Sequence, residues 1–172
     1  MKLREELEAR GLLYQYTDEK FFDLYEKWGE KFYCGYDPTA DSLHLGHFLT
    51  FMAAVNFMKR GNTFVMLIWG ATGMIGDPTG KSEARAFLWL DQLRHNQEAI
   101  TKQVSQILEN LKKLTGKDFQ FKVVNNYDFY KDLSVFDWYR TVGKYITLNT
   151  MLSKESVKKR LENTESGISY TE

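Results

Sequence analysis

The run Thr63-Phe64-Val65-Met66-Leu67-Ile68-Trp69 constrains the fold of this chain more than any other stretch. A short, continuous apolar run bounded by glycine is the mark of a central strand in a parallel sheet. A parallel strand needs a long crossover on each side, and both flanks supply one. Before it, Lys31 to Gly35 (KFYCG) reads as a strand, and Gly46 to Arg60 as a helix apolar nearly all round, hence buried, that Gly61 ends. After it come a Gly-rich loop over 70–85 and a long amphipathic helix from His95 to Leu114. Ile100, Val104, Ile107, Leu108, Leu111 and Leu114 line one face of that helix, and Phe119 to Asn125 follows as a third strand.

Strand, helix, strand, helix, strand is a βαβαβ unit. The fold class expected is therefore α/β, a Rossmann-like doubly wound parallel sheet with helices on both faces, present here as its incomplete first half. Residues 1–30 form a separate helical segment. It contains a helix over 2–10, with Leu3 and Leu7 on one face and Gly11 as C-cap, and a second from Asp18 to Trp28 carrying Phe21, Leu24, Tyr25 and Trp28. Residues 31–172 form the sheet domain, with two later helical stretches over Val135 to Thr141 and Ser153 to Glu162. The last residues, Ser169-Tyr170-Thr171-Glu172, contain no C-cap and no closing element, so a fragment is expected.

Composition narrows the function classes. Lys plus Arg and Asp plus Glu both number 23, so no global field draws the chain to nucleic acid or membrane, and any RNA contact must be local. The one cysteine, Cys34, excludes an internal disulfide and favours a reducing compartment. The opening MKLREELEAR lacks the apolar core of a signal peptide, and the apolar stretch over 48–58 is too short to span a bilayer. These features read as a cytoplasmic protein.

Two loops carry chemistry. Tyr33 to His47 (YCGYDPTADSLHLGH) joins the first strand to the first helix. Ligands of open α/β sheets bind at that edge, where a helix N-terminus offers free N–H groups to phosphates. Thr39 supplies a hydroxyl donor beside the Asp37-Pro38 turn. His44 and His47 can face one ligand, and Gly46 leaves room for a sugar or base. One histidine alone is usually structural, but two of the chain's three bracket Gly46 here. A metal site from Cys34, His44 and His47 is a weaker alternative, because the cysteine sits on a strand and a further ligand is distant.

The second loop, GATGMIGDPTGKSEAR over 70–85, follows the second strand and lies on the same edge. Its four glycines, at 70, 73, 76 and 80, permit close backbone approach. Lys81 and Arg85 place positive charge near a phosphate tail, and Asp77 suits a substrate ammonium group. The loop is not a P-loop, since its leading glycine falls at Gly76, the wrong spacing. Both prolines of the chain, Pro38 and Pro78, lie in Asp-Pro-Thr, one in each loop.

Together these blocks resemble the tyrosyl-tRNA synthetases of the bacterial type. The first matches their class I His-x-Gly-His signature and the second their Gly-x-x-Gly-Asp-Pro-[Ser/Thr]-Gly-Lys loop. Asn125-Asn126-Tyr127-Asp128, Val142-Gly143-Lys144, Lys154-Glu155-Ser156-Val157 and Gly167 to Glu172 resemble the family in the same order, so the likeness covers nearly the whole chain.

The resemblance implies a set of roles. Tyr33 would read the substrate phenol, Asp77 would hold the α-ammonium, and Asn125 would lie near the tyrosine pocket. Cys34, Gly35 and His47 would contact the ribose, with Asp37 and Gly46 against the nucleotide. Thr39 and His44 would bind the outer phosphates, and Lys81 and Arg85 would support the transition state. The implied reaction joins tyrosine and ATP into tyrosyl-adenylate, with Mg2+ accompanying the ATP and no metal held by the protein, and then transfers tyrosine to tRNA-Tyr. A homodimer is implied for the full-length form, with Tyr170 near the contact. Lys144, Lys154, Lys158, Lys159 and Arg160 are either a solvated face or a contact with the tRNA acceptor end. The family's second signature, a Lys-Met-Ser-Lys-Ser-like loop, does not occur in these 172 residues, so activity of the chain alone is not expected. The competing readings are a tryptophanyl-tRNA synthetase, a nucleotidylyltransferase with the same His-x-Gly-His, and a non-catalytic nucleotide-binding or interaction module.

Overall fold

The computed structural model describes residues 1–74 and 89–162. Helices α1 (Leu3–Ala9) and α2 (Lys20–Tyr25) precede strand β1 (Lys31–Tyr36). Then come α3 (Leu45–Met58), β2 (Thr63–Ile68), α4 (Gly70–Gly73), α5 (Leu90–Thr115) and β3 (Phe121–Asn125). The short helices α6 (Tyr127–Tyr130), α7 (Val135–Thr141), α8 (Leu148–Leu152) and α9 (Glu155–Glu162) follow, with a 3-10 turn at Gly143–Tyr145.

The three strands form one parallel sheet in the order β1-β2-β3, so the apolar run is indeed the central strand. Its alternate residues Phe64, Met66 and Ile68 are fully buried against Phe51, Ala54, Val55 and Met58 of α3 and Ile100 and Val104 of α5. Burying each such side chain contributes about 1.5–3 kcal/mol. Both crossover helices thus cover one face of the sheet, whereas helices on both faces were expected. Successive right-handed crossovers that step in one direction must fall on the same side. The opposite face is reached only when the strand order reverses, and three strands in sequence order contain no reversal.

The one-sided cover also explains why α3 is not buried all round. Its sheet-facing residues are buried, while Leu45 and Leu49 are exposed, since among the described residues nothing lies above them. The long helix starts at Leu90 rather than His95, and Leu114, in its last turn, is exposed. It ends on Gly116, whose φ of +68° makes a left-handed cap that returns its N–H to the Lys112 carbonyl at 2.8 Å. In the N-terminal segment the buried pair is Phe22 and Tyr25, packed on Leu3 and Leu7. Phe21 and Leu24 lean outward, and Trp28 lies outside α2 with its indole over Gly61.

An ion-pair network fastens this segment to the sheet layer. Arg60 Nη1 donates to Glu6 Oε2 at 3.0 Å and Arg60 Nε to Glu26 Oε2 at 3.3 Å, while the Leu3 N–H also donates to Glu26. Burial pushes the Glu6 carboxyl up, but the Arg60 hydrogen bond and the Lys59 charge outweigh it and hold it below the ordinary range. Among the described residues no helix is long and apolar enough to cross a membrane.

Candidate active site

The carboxyl ends of β1 and β2 are held side by side, because the Trp69 N–H donates to the Tyr36 carbonyl at 3.0 Å. The loops that leave them are therefore neighbours, and Gly73 of α4 lies against Pro38. Helix α5 fixes both ends of the first loop. Buried Asn96 donates to the Pro38 carbonyl at 2.8 Å, and Gln103 accepts from the Leu43 N–H at 2.8 Å. A buried amide with matched partners is a stiff support, since losing a partner would leave a desolvated polar group.

That support delivers two histidines to the first turn of α3. His44 is its N-cap, and Nδ1 of the ring accepts from the Gly46 N–H at 3.1 Å. In the neutral ring the proton then sits on Nε2, so His44 presents a donor outward. The His44 and His47 rings stack at 3.7 Å between centroids, 20° apart in plane. Gly46 has a local role in this, because a Cβ there would stand 3.0 Å from the His44 ring. Burial lowers the His47 pKa, and His44 lowers it further against the opposing charge of Asp37, so His47 is neutral near pH 7. Its Nδ1 is buried with no hydrogen-bond partner among the described residues. Thr39 is exposed in the same loop.

Cys34 points to the helix-covered face, half-buried below this turn. Burial raises its thiol pKa, with the Tyr36 and Thr50 hydroxyls pulling the other way, so it stays a thiol rather than a nucleophilic thiolate. Gly35 faces the other way, and its open side is filled by the Trp69 indole, 2.4 Å from where a Cβ would stand.

The structure separates Tyr33 from Asn125. Register aligns Tyr33 with Val65 and Lys122, and Tyr36 with Ile68 and Asn125. Successive side chains alternate between faces, so Tyr33 lies on the uncovered face, 72% exposed beside a shallow cleft lined by Lys31, Val65 and Leu67. Asn125 is on the helix side. It donates to Gln97 and accepts from the Tyr127 N–H at 2.9 Å, so it does not share a pocket with Tyr33 here. Asn126, which sequence reasoning passed over, is buried and accepts from the Ala71 N–H at 2.8 Å, tying β3 to the second loop. Asp77, Lys81 and Arg85 lie outside the described residues. Among those described, no group of three His, Cys, Asp or Glu is arranged to hold a metal.

A stacked histidine pair at a helix N-cap, beyond the carboxyl ends of parallel strands, is a donor set for phosphate and sugar oxygens. A family model for tRNA synthetases class I (W and Y) matches residues 29–172. The chain belongs to this family. A curated tyrosine–tRNA ligase of Staphylococcus haemolyticus (strain JCSC1435) is 46% identical over 171 residues, which is 99% of this chain but 39% of the ligase. Two solved structures are similar along 99% of the chain. The C-terminally truncated mitochondrial tyrosyl-tRNA synthetase of Aspergillus nidulans matches with TM-score 0.82 and 27% identity over 49% of its own length. Its counterpart from Coccidioides posadasii matches with TM-score 0.78 and 29% identity over 47%. The chain thus spans well under half of the curated class I synthetase it matches. The nucleotidylyltransferase reading falls with the family match, since that model describes tRNA synthetases.

Proposed function

We propose that this chain is the ATP-binding portion of a tyrosine–tRNA ligase, which activates tyrosine as tyrosyl-adenylate and then transfers it to tRNA-Tyr. The observation that carries the reading is the stacked His44–His47 pair at the α3 N-cap. The tyrosine assignment, rather than tryptophan, rests on the 46% identical relative named for that activity.

The chemistry needs no protein nucleophile. The tyrosine carboxylate attacks the α-phosphorus of ATP, and pyrophosphate leaves. Charge grows on the phosphoryl oxygens, so donors held in place before the reaction lower the barrier. His44, donating from Nε2, and the Thr39 hydroxyl serve the outer phosphates, and tighter contacts as pyrophosphate departs favour the transition state over the ground state. His47, Cys34, Gly35, Gly46 and Asp37 surround the nucleoside. Lys81 and Arg85 add positive charge, Asp77 holds the substrate ammonium, and Tyr33 reads the phenol. Buried hydrogen bonds to a hydroxyl reject an analogue that lacks it, a behaviour for which tyrosyl-tRNA synthetases are themselves the standard illustration. Mg2+ would accompany ATP as part of the substrate, and the His44 and His47 rings and the Thr39 hydroxyl would serve the phosphate and sugar oxygens.

The full-length protein acts in the cytoplasm and pairs as a homodimer. Support for pairing comes from the apolar side chains of Phe136, Tyr145 and Leu148, which are 86%, 75% and 62% exposed. The lysines of α9 and its approach contact the tRNA acceptor end; reversing charge at Lys158 and Lys159 should weaken tRNA binding, and an unchanged affinity ends that idea.

Tyrosine-dependent ATP–pyrophosphate exchange tests the central claim. The full-length protein should exchange with tyrosine and not with tryptophan, while residues 1–172 alone should fall far below it. Exchange driven by tryptophan, or none in the full-length protein, overturns the assignment.

A further inference from the structure

Pro38 is buried, and a proline offers the backbone one polar group only, its carbonyl. Asn96 of α5, 2% exposed, meets that carbonyl at 2.8 Å. A carbonyl accepts and cannot donate, so the amide nitrogen of Asn96 must face Pro38. Its oxygen then faces the other way, where the Gln92 side chain donates to it at 2.9 Å. Both polar ends of Asn96 are used, and the amide has one orientation. The bond fixes more than the carbonyl. The Pro38 ring already sets φ, so the pull of Asn96 sets the remaining torsion, ψ, which aims the next peptide. That peptide is trans, and a planar trans peptide holds its C=O and N–H antiparallel. With the Pro38 carbonyl drawn toward α5, the Thr39 N–H points away from that helix. Thr39 is exposed, and among the described residues no backbone carbonyl takes its N–H.

We propose that Asn96 is a positioning residue that aims the Thr39 backbone N–H at the outer phosphates of ATP. Thr39 then donates twice, from its N–H and from its hydroxyl. Asn96 does not touch the nucleotide; it acts through the Pro38–Thr39 peptide. This inference rests on the reading of the His44–His47 edge as an ATP site. A bond that only satisfied a buried carbonyl would support stability and leave the reaction alone.

The test uses the full-length protein labelled with 15N-threonine. On adding ATP without tyrosine, the Thr39 amide proton should move downfield, and in Asn96→Leu, which keeps the shape of the amide, it should not. Asn96→Leu should also lower kcat of tyrosine-dependent ATP–pyrophosphate exchange about three- to tenfold, the loss of one aligned hydrogen bond, with KM for tyrosine unchanged. Thr39→Ala removes the hydroxyl and keeps the N–H, so Asn96→Leu should lower kcat in that background too. A Thr39 amide that stays in place when the parent binds ATP overturns the inference alone, and this measurement decides even where Asn96→Leu fails to fold. So does an Asn96→Leu protein with a lower denaturation midpoint and an unchanged kcat, or an effect that vanishes with Thr39→Ala. A parent protein that binds no ATP overturns the site reading and the inference together.

Discussion

The sheet layer and the helical stretch from Tyr127 to Glu162 are built from similar residues and treat them in opposite ways. Around β2, Phe64 is fully buried, its ring within 5.3–6.4 Å of the rings of Phe32, Tyr36, Phe51 and Phe121. In α6, α7 and α8 no residue is buried, and Phe136 stands 86% exposed. The sheet encloses its own core because two long crossovers fold back on one face. The short helices have no layer opposite them among the described residues, so their aromatic side chains cover surface instead of filling space. Apolar content thus marks stability in one region and a face available for contact in the other.

The largest test of this contrast is truncation at the centre of each region. Phe64→Ala should lower stability by about 3–5 kcal/mol in chemical denaturation, and a loss under about 1 kcal/mol would mean the core is not organised around β2. Gly35→Ala comes next. Its new methyl meets the Trp69 indole, and overpacking of this kind costs about 1–3 kcal/mol, read as a lower denaturation midpoint. Asn62→Ala should cost about 1–3 kcal/mol, because it strips partners from the Glu30 N–H and the Tyr25 and Phe57 carbonyls. An unchanged thermal midpoint would remove that side chain from the joint between the N-terminal segment and the sheet.

Acid titration separates two groups. His47 has its folded pKa below the ordinary 6.5. The unfolded chain therefore takes a proton first, and stability declines as pH falls below 6.5 until the folded ring also protonates. Glu6 is also lowered, from 4.5. Its contribution is full above 4.5 and is lost as pH falls through the folded value. His47→Gln should flatten the first phase and leave the second, as followed by denaturation midpoints across pH. The smallest expected effect is at the surface: Phe136→Ala should move the stability of the monomer by less than about 0.5 kcal/mol. Sedimentation of the full-length protein would show whether that substitution weakens self-association.

Much of the fold was legible because its signals are local. An unbroken apolar run announced β2, and helical spacing announced the buried stripe of α5 through Ile100 and Val104. The start of α5 was not legible, since Trp89 caps it with no side-chain hydrogen bond. At the candidate site, the two histidines and Gly46 stood out by spacing, and the structure stacks them. Asn126 stood out for no role of its own. Its side chain has meaning only once β3 is packed beside the second loop, because its partner is the Ala71 N–H, far earlier in the chain.

The sequence by itself determined the order of elements, the central strand and the family, because periodicity, glycine placement and motif order are properties of neighbouring residues. Only the tertiary structure decided which face each strand residue takes. Strand pairing sets Tyr33 and Asn125 on opposite sides of the sheet, and one-directional crossovers put α3 and α5 together on one of them. Both outcomes follow from register and handedness, which arise between segments distant along the chain.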